Sequence, residues 1–495
     1  MADQVSPDMS ASVVAIPGEK VKVTTDVARA FVALTKKKKR VDNAFAYYDG
    51  DQPVVYATDM LSAYFKTLNA RFIENWCAPV IDAVLERLTL KGFDCGKNKA
   101  AETALKELMQ AGGLELEAYD VQAAAVISGE GFIIVWPDED NQSDVEVYQN
   151  DPRQVEMFYD PDHPKRKDFA AKWYVDERSG VTYMTLYYSD RIEHYRSMGD
   201  ERPSGPDDFI PLPEDEGQAV EAHDKGTVPV FHYRRNRRRM QGELDGKVFS
   251  LQDMINKLLA DMMVASEFAA FKQRWAISNA NLSDLKAHPG ELWLIPPGDD
   301  GGGVAVGQFD ATDLKNFIDA RSALAESIAI ISHTPKHYMT GASQPSGEAL
   351  MAMDAPLVKK VQHYSELFGA AWRDLAVFYC QLKGIALKPE EVNPVWAPFN
   401  IDQPQMESEV FKNYVTGQLP VVTILRAILG WAPDQLDEMA QDQKEQAAAA
   451  PPTLGEVALK AAAQARNVAV LPQGAPKGAP VIIPTPTTPP PPAAT

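Results

Sequence analysis

The stretch from Ser250 to His333 limits most strongly what this chain can become: two apolar-faced helical segments separated by a short β-type insert. In SLQDMINKLLADMMVASEFAAFKQRW, Ser250–Trp275, the residues Leu251, Met254, Ile255, Leu258, Leu259, Met262 and Met263 recur at three- and four-residue steps. That spacing gathers side chains on one helical face. Such a helix is roughly 39 Å long at about 1.5 Å per residue. Ser250 with Asp253 three residues on resembles a capping box, with Asp in place of Glu. A second helix is predicted over Ala311–Ile331, after Asp310 as N-cap, with Leu314, Phe317, Ile318, Leu324, Ile328 and Ile331 on a broad face. Between them ELWLIPPGDDGGGVAVGQF reads as strand, glycine-rich turn, strand. Such a pair fits either a helical hairpin inside one core or the spine of a subunit in a larger body.

The rest of the chain gives this pair its setting. Residues 1 to about 25 read as a loose arm. Lys36–Arg40 is a basic run that could meet phosphate but reads better as a solvated helix end. Helical spacing covers Thr58–Leu90, with Pro79 expected to break or kink it, then Lys99–Met109 and Leu114–Ser128, ended by Gly129 and Gly131. After Gly131 the texture turns to β-branched and aromatic residues: FIIVWPD, DVEVYQN, VEMFYDP, DFAAKWYVDE and VTYMTLYYSDRIEHYR, cut by Pro, Asn, Asp and Gly. This reads as an antiparallel meander, and no helices alternate with the strands as a nucleotide-binding doubly wound sheet requires. A polar loop over 197–227 leads to the densest basic cluster, Arg234, Arg235, Arg237, Arg238 and Arg239. It could meet phosphate, a neighbouring subunit's acid or nearby carboxylates, and acid pairing is the favoured reading. Ser346–Leu382 is helical but interrupted by Pro356, Lys388–Pro404 is a connector, Gln405–Gln446 is helical, and Leu471–Thr495 is a proline-rich tail expected to stay disordered.

Composition excludes more than it assigns. The 495 residues leave room for two to four domains, with 45% hydrophobic residues and a net charge of −20. That acidity opposes a tight grip on nucleic acid, although not a wall that lets nucleic acid pass. Cys77, Cys95 and Cys380 are too few and scattered for a disulfide framework and read as reduced, buried thiols of a protein made in cytoplasm. No signal peptide or membrane span is expected, so the protein reads as soluble. No phosphate loop, His-Glu-x-x-His or G-x-S-x-G occurs. His333 and His337 are four apart, but Pro335 lies between them and no third metal ligand is evident. Ser283-Asp284-Leu285-Lys286 has the S-x-x-K spacing without its companion motifs. No enzyme, metal or cofactor is called for.

Several longer stretches resemble the portal proteins of tailed bacteriophages, in the branch common among siphoviruses of actinobacteria. They are YYDGDQPV at Tyr47–Val54, NWCAPVIDAVLERLTLKGF at Asn75–Phe93, SGEGFIIVWPDED at Ser128–Asp140 and the Leu251–Trp275 helix. PGELWLIP at Pro289–Pro296, GQFDATDLKNFI at Gly307–Ile318, TPKHYM at Thr334–Met339 and PSGEALMAMDAPLVKKV at Pro345–Val361 complete the set, in order, over Ala44–Leu382. The arginine run is denser than the family suggests, and the tail is peripheral to it.

The resemblance implies an α+β portal fold: a mixed α/antiparallel-β wing, a two-helix stem, a small α/β clip and a helical crown, assembled as a ring, typically of twelve copies. Mapped here it implies an arm over 1–43, wing over 44–249, stem helices over 250–275 and 311–333, and a clip over 276–310. A tunnel loop over 334–346, a kinked long helix and connector over 347–404, a crown over 405–450 and a tail over 451–495 follow. It further implies stem packing by Leu258, Met262, Phe317, Leu324 and Ile328, and clip contacts by Trp293 and Leu294. DNA would be touched lightly by a loop of Lys336, His337, Tyr338 and Met339 that flexes at Gly341 and Gly347. The implied partners are other copies, double-stranded DNA, large terminase, head–tail connectors, and major capsid and scaffold proteins, at the capsid vertex of a virion assembled in host cytoplasm. Another ring-forming connector is the alternative, and a nucleic-acid-processing enzyme a more distant one.

Overall fold

A computed structural model of the chain describes residues 25–53, 73–110, 112–137, 145–199, 202–270, 274–277, 295, 304–309, 313–340, 347–399, 404–417, 420–427 and 433–449. The chain divides into two compact units, Met1–Leu436 and Asp437–Thr495. In the second, residues 437–449 continue the helix Pro433–Ala449, and the side chains of 437–445 are largely exposed and often acidic. The proline-rich tail lies outside the described residues.

In the first unit the expected arm ends early, because residues 25–43 are helical. Helix α1, Thr25–Asp49, buries Val27, Ala30, Leu34, Val41, Ala44 and Tyr47 at helical spacing. Its first half packs on Phe169, Ala171, Met184, Leu186 and Phe209, while Ala44 and Tyr47 join the largest core. Helix α2 spans Cys77–Leu85. Pro79 falls in its first turn, where a missing N–H costs nothing, so it does not break the helix. Asn75 caps it, accepting from the Cys77 and Ala78 amides. Helices α3, Lys99–Gln110, and α4, Leu114–Ser128, follow as expected. Gly129 at the end of α4 is left-handed (φ 99°), and a Cβ there would lie 2.6 Å from the Gln241 carbonyl carbon.

The meander is two sheets rather than one. Strand β1, Leu90–Asp94, waits for a distant partner. Strand β2, Glu130–Pro137, is the centre of a three-stranded sheet, between β3, Val145–Asn150, and β10, Val230–Arg234. Six consecutive buried residues open β2 because both its faces are covered. Phe132 and Ile134 face a small cluster with Val155, Met157 and Val230, and Ile133 and Val135 face the main core. The second sheet runs in sequence order: β4 Val155–Tyr159, β5 Lys167–Val175, β6 Thr182–Tyr187, β7 Arg191–Ser197 and β8 Phe209–Pro211. Strand β9, Val220–Ala222, also pairs with β7. The β-rich stretch over 181–196 is a hairpin, turning at Ser189–Asp190.

The stem helices shift from their expected limits. Helix α5 spans Gly246–Ala270, capped by Asp245, which accepts from the Lys247 and Val248 amides. Ser250 lies inside it and bonds back to the Gly246 carbonyl, so the expected capping box does not form. Strand β11, Arg274–Ile277, and β12, Ala305–Gln308, pair antiparallel and close the excursion between the stem helices. The second expected clip strand exists, but its partner among the described residues is the end of the predicted first stem segment. Trp275 is therefore a strand residue. The other predicted strand, with Trp293 and Leu294, lies outside the described residues. Helix α6 spans Lys315–Ser332, and its first amide bonds to Asp313; Asp310 lies outside the description.

Helix α7 is a single turn, His337–Thr340, and α8 runs unbroken over Gly347–Leu382, straight through Pro356. Leu357, Val361, Tyr364, Phe368, Trp372, Leu375, Ala376 and Tyr379 of α8 are buried at three- and four-residue steps. This stripe dominates the main core, to which α5 gives Val248 and Ile255, and α6 gives Ile328 and Ala329. The long helix, rather than the stem pair, organises the body. Strand β13, Asn393–Trp396, lies in the expected connector and pairs with β1. The crown segment forms α9 Pro404–Thr416, α10 Val421–Ala427 and α11 Pro433–Ala449.

Candidate functional site

The stem begins on a polar ladder. Gln252, fully buried on α5, accepts from the Trp76 amide at 2.9 Å and donates to the Glu74 carbonyl and, at 3.0 Å, to Asn256 Oδ1. Asn256 in turn accepts from the Glu74 amide, and the Glu74 carboxylate meets Arg321 of α6 at 3.2 Å. Asp253 accepts the Tyr47 hydroxyl at 2.9 Å, and the Tyr47 ring stacks on Phe249 at 4.0 Å. Both stem helices are thus keyed to the segment before α2. The Gln252 amide is matched at both its oxygen and its nitrogen, which holds the root of the stem at one angle to the body.

Away from that root the pair is only half covered. Ile328 is buried, and Leu258, Met262, Phe317 and Leu324 are half-buried. Met254, Met263, Ile318, Ile330 and Ile331 are 45–58% exposed, and Ile277, Val306 and Phe309 at the clip strands 59–66%. These apolar positions are spread over both stem helices, on more than one face of each, and beside β11–β12, and all stay exposed in the single chain.

The segment after α6 is drawn into the body. His333 ends α6 in the left-handed conformation (φ 54°), the single non-glycine residue of positive φ among the described residues. Thr334 and Met339 are buried. Arg87 donates to the Tyr338 hydroxyl at 2.7 Å and to Asp354 of α8 at 3.0 Å, and His337 Nε2 lies 3.8 Å from the same carboxylate. Lys336, half-exposed, pairs with Glu326. Of the residues expected to touch DNA from a loop, Met339 faces the core and Tyr338 and His337 are held by the body. Gly341 lies outside the described residues, and Gly347 opens α8 at an exposed position.

The arginine run divides by partner. Arg235 pairs with Glu243 at 2.7 Å and donates to the Gln241 and Gly242 carbonyls and the Tyr364 hydroxyl. Lys360 also meets Glu243, at 3.1 Å, and donates to the Ser332 carbonyl at the end of α6. Burial alone would push the Glu243 carboxyl up; Lys360 and Arg235 outweigh it and hold it below its ordinary value. Acid pairing therefore holds for Arg235. Arg234 lies over the Tyr159 ring at 4.4 Å, and Arg237, Arg238 and Arg239 are exposed.

The Lys36–Arg40 run is mid-helix rather than at a helix end, and it divides: Lys36, Lys38 and Lys39 are exposed, as a solvated face requires, while Lys37 and Arg40 turn inward. Lys37 is buried between Glu156, at 2.7 Å, and Glu130, at 3.3 Å, and Arg40 pairs with Glu130. Its two carboxylate partners sit on β2 and β4, too far in sequence to be read from the run itself. All three cysteines are buried, and burial pushes the Cys77 and Cys95 thiols up to about 12. Among the described residues no group of three His, Cys, Asp or Glu side chains could hold a metal, and no helix is long and apolar enough to cross a membrane.

Comparison with known proteins assigns the fold. The family described as "Phage portal protein, SPP1 Gp6-like" matches residues 32–452. The portal proteins of Mycobacterium phage D29 and Mycobacterium phage L5 are each 26% identical, over 400 and 397 residues, covering 74% of this chain and 78% of theirs. Among solved structures, "Neck of native GTA particle computed with C12 symmetry" aligns over 77% of this chain and 95% of that one. "Virion of native gene transfer agent (GTA) particle" aligns over 79% and 99%, and both do so at 13% identity and a TM-score of 0.40. With the family match running from α1 into the segment after the last described helix, this chain belongs to the SPP1 Gp6-like phage portal proteins.

Proposed function

We propose that the chain acts as a ring-forming, non-catalytic subunit whose copies surround the path of double-stranded DNA into and out of a capsid. The observation that carries this reading is the unmatched apolar surface along α5, α6 and β11–β12. Burying one Ile or Met side chain from half exposure contributes on the order of 1 kcal/mol, and each copy offers eight such positions. Copies set side by side cover them on both flanks of each stem, and a heterologous contact of this kind closes into a ring.

The channel chemistry fits a passage rather than a clamp. Every cation fixed on a phosphate adds salt-sensitive affinity and slows a moving duplex. At the junction of stem and body, Lys336 is matched by Glu326, and Arg87 by Asp354, so little free positive charge is offered there. Wall contacts from the 334–346 segment, about twelve copies, docking of terminase and connectors at the clip, contacts to capsid and scaffold proteins, and assembly in host cytoplasm complete the proposal. Electron microscopy of the purified protein tests it: rings with a central opening are expected, and a uniform field of single compact particles would overturn it.

A further inference from the structure

We propose that a basic recess at the β4–β5 edge of the six-stranded sheet receives the acidic loop after β8 of a neighbouring copy. The inference rests on the ring reading and names one of its contacts. The recess, ≈ 280 Å³, lies between that edge and α8 and is lined by Tyr159, Lys165, Lys167, Arg234, Arg237 and Asp374, among others. Four cations face one carboxylate there, in a chain whose net charge is −20. Elsewhere the buried cations have acids: Lys37 has Glu130 and Glu156, Lys360 has Glu243, and Arg87 has Asp354. Among the described residues no carboxylate lies within ion-pair distance of Lys165, Lys167, Arg234 or Arg237.

Lys167 donates instead to the Val230 carbonyl at 2.8 Å and lies 4.2 Å over the Phe231 ring. Burial lowers it to about 8, so it remains largely charged near neutral pH. Asp374 is pushed above its ordinary value by burial, and Lys167, Arg373 and Arg237 fail to offset this. The site is thus short of negative charge.

The same chain carries the complement. Glu214 and Asp215 are exposed in the turn after β8, on the opposite edge of the same sheet, and Glu216 beside them pairs with Arg196. A basic recess between the β4–β5 turn, β10 and α8, and an acidic turn at the far edge of the six-stranded sheet, suit a head-to-tail contact, in which each copy uses both. The recess is large enough for carboxylate side chains and too small for a duplex.

Two charge reversals test this, read by sedimentation across protein concentration. Lys165→Glu with Arg237→Glu, and separately Glu214→Lys with Asp215→Lys, should each raise the half-assembly concentration about tenfold, and all four together should recover most of it. Below the concentration at which any of these proteins assembles, thermal midpoints should not move, because all four side chains are exposed. Independently, carbodiimide treatment of assembled wild-type protein, mixed from ¹⁴N- and ¹⁵N-labelled chains, should join Lys165 of one chain to Glu214 or Asp215 of another. Wild-type protein that never assembles defeats the ring reading, and this inference with it. Rings that form equally well with either reversal, or reversals that weaken assembly without recovery or cross-link, overturn the inference and leave the ring standing.

Discussion

The long helix α8 and the stem pair α5–α6 are built from similar residues and end in opposite states. In α8 the apolar stripe from Leu357 to Tyr379 is covered by the chain's own sheets and helices, and Trp372 and Phe368 are fully buried. In the stem, side chains of the same kind, such as Ile318 and Ile330, remain half in water. Helical periodicity is common to both and does not say what covers the face. A stripe matched within one chain stabilises that chain. Apolar side chains left open stabilise nothing until a second copy arrives, so the two regions respond differently to substitution.

Trp372→Ala marks the covered side of this contrast. It should destabilise the isolated chain by about 3–5 kcal/mol, read by denaturant unfolding, because it empties the centre of the main core. Acid should act next most strongly, through the buried cluster that joins α1 to both sheets. Burial holds His232 down to about 4, although Glu130 beside it pulls the other way. Burial would raise Glu130, but Lys37, His232 and Arg40 bring it to about 2. Both folded values lie below the ordinary 6.5 and 4.5, so the stability they supply is complete above pH 6.5 and falls with pH, first through His232 and then through Glu130. Glu156, raised by burial, works in the opposite sense. Glu130→Gln should flatten the lower part of the acid limb in a pH series of thermal midpoints. Asp245→Ala should cost about 1 kcal/mol by removing the α5 cap, wherever the stem stands. Ile318→Asp with Ile330→Asp should change the unfolding of the single chain by no more than about 0.5 kcal/mol, since exposed positions rarely do more. The same double substitution should abolish assembly.

Much of this architecture is legible along the chain because it is local. The three- and four-residue spacing of α5, α6 and α8, the glycines closing α4 and the alternation of β4 to β7 all act within a few residues of themselves. What escapes the sequence depends on distant partners. Strand β1 finds β13 some three hundred residues later, and neither Leu90–Asp94 nor Asn393–Trp396 announces the other. Lys37 resembles its solvated neighbours until Glu130 and Glu156 are placed beside it. Tyr338 and His337 suit a free loop by composition, but Arg87 and Asp354, from α2's end and α8, draw them inward. The Ser250–Asp253 spacing fits a cap, yet Asp245 starts the helix earlier and Tyr47 claims Asp253.

The most direct measurement is the mass of the assembled species, by light scattering after size exclusion, for the wild-type chain and for Ile318→Asp with Ile330→Asp. The wild type should give a discrete high multiple of 54.5 kDa and the double variant a folded species at 54.5 kDa. A wild-type chain that stays at the single-chain mass under assembly conditions, or a variant that assembles as well as the wild type, would contradict the claim that neighbouring copies cover the stem.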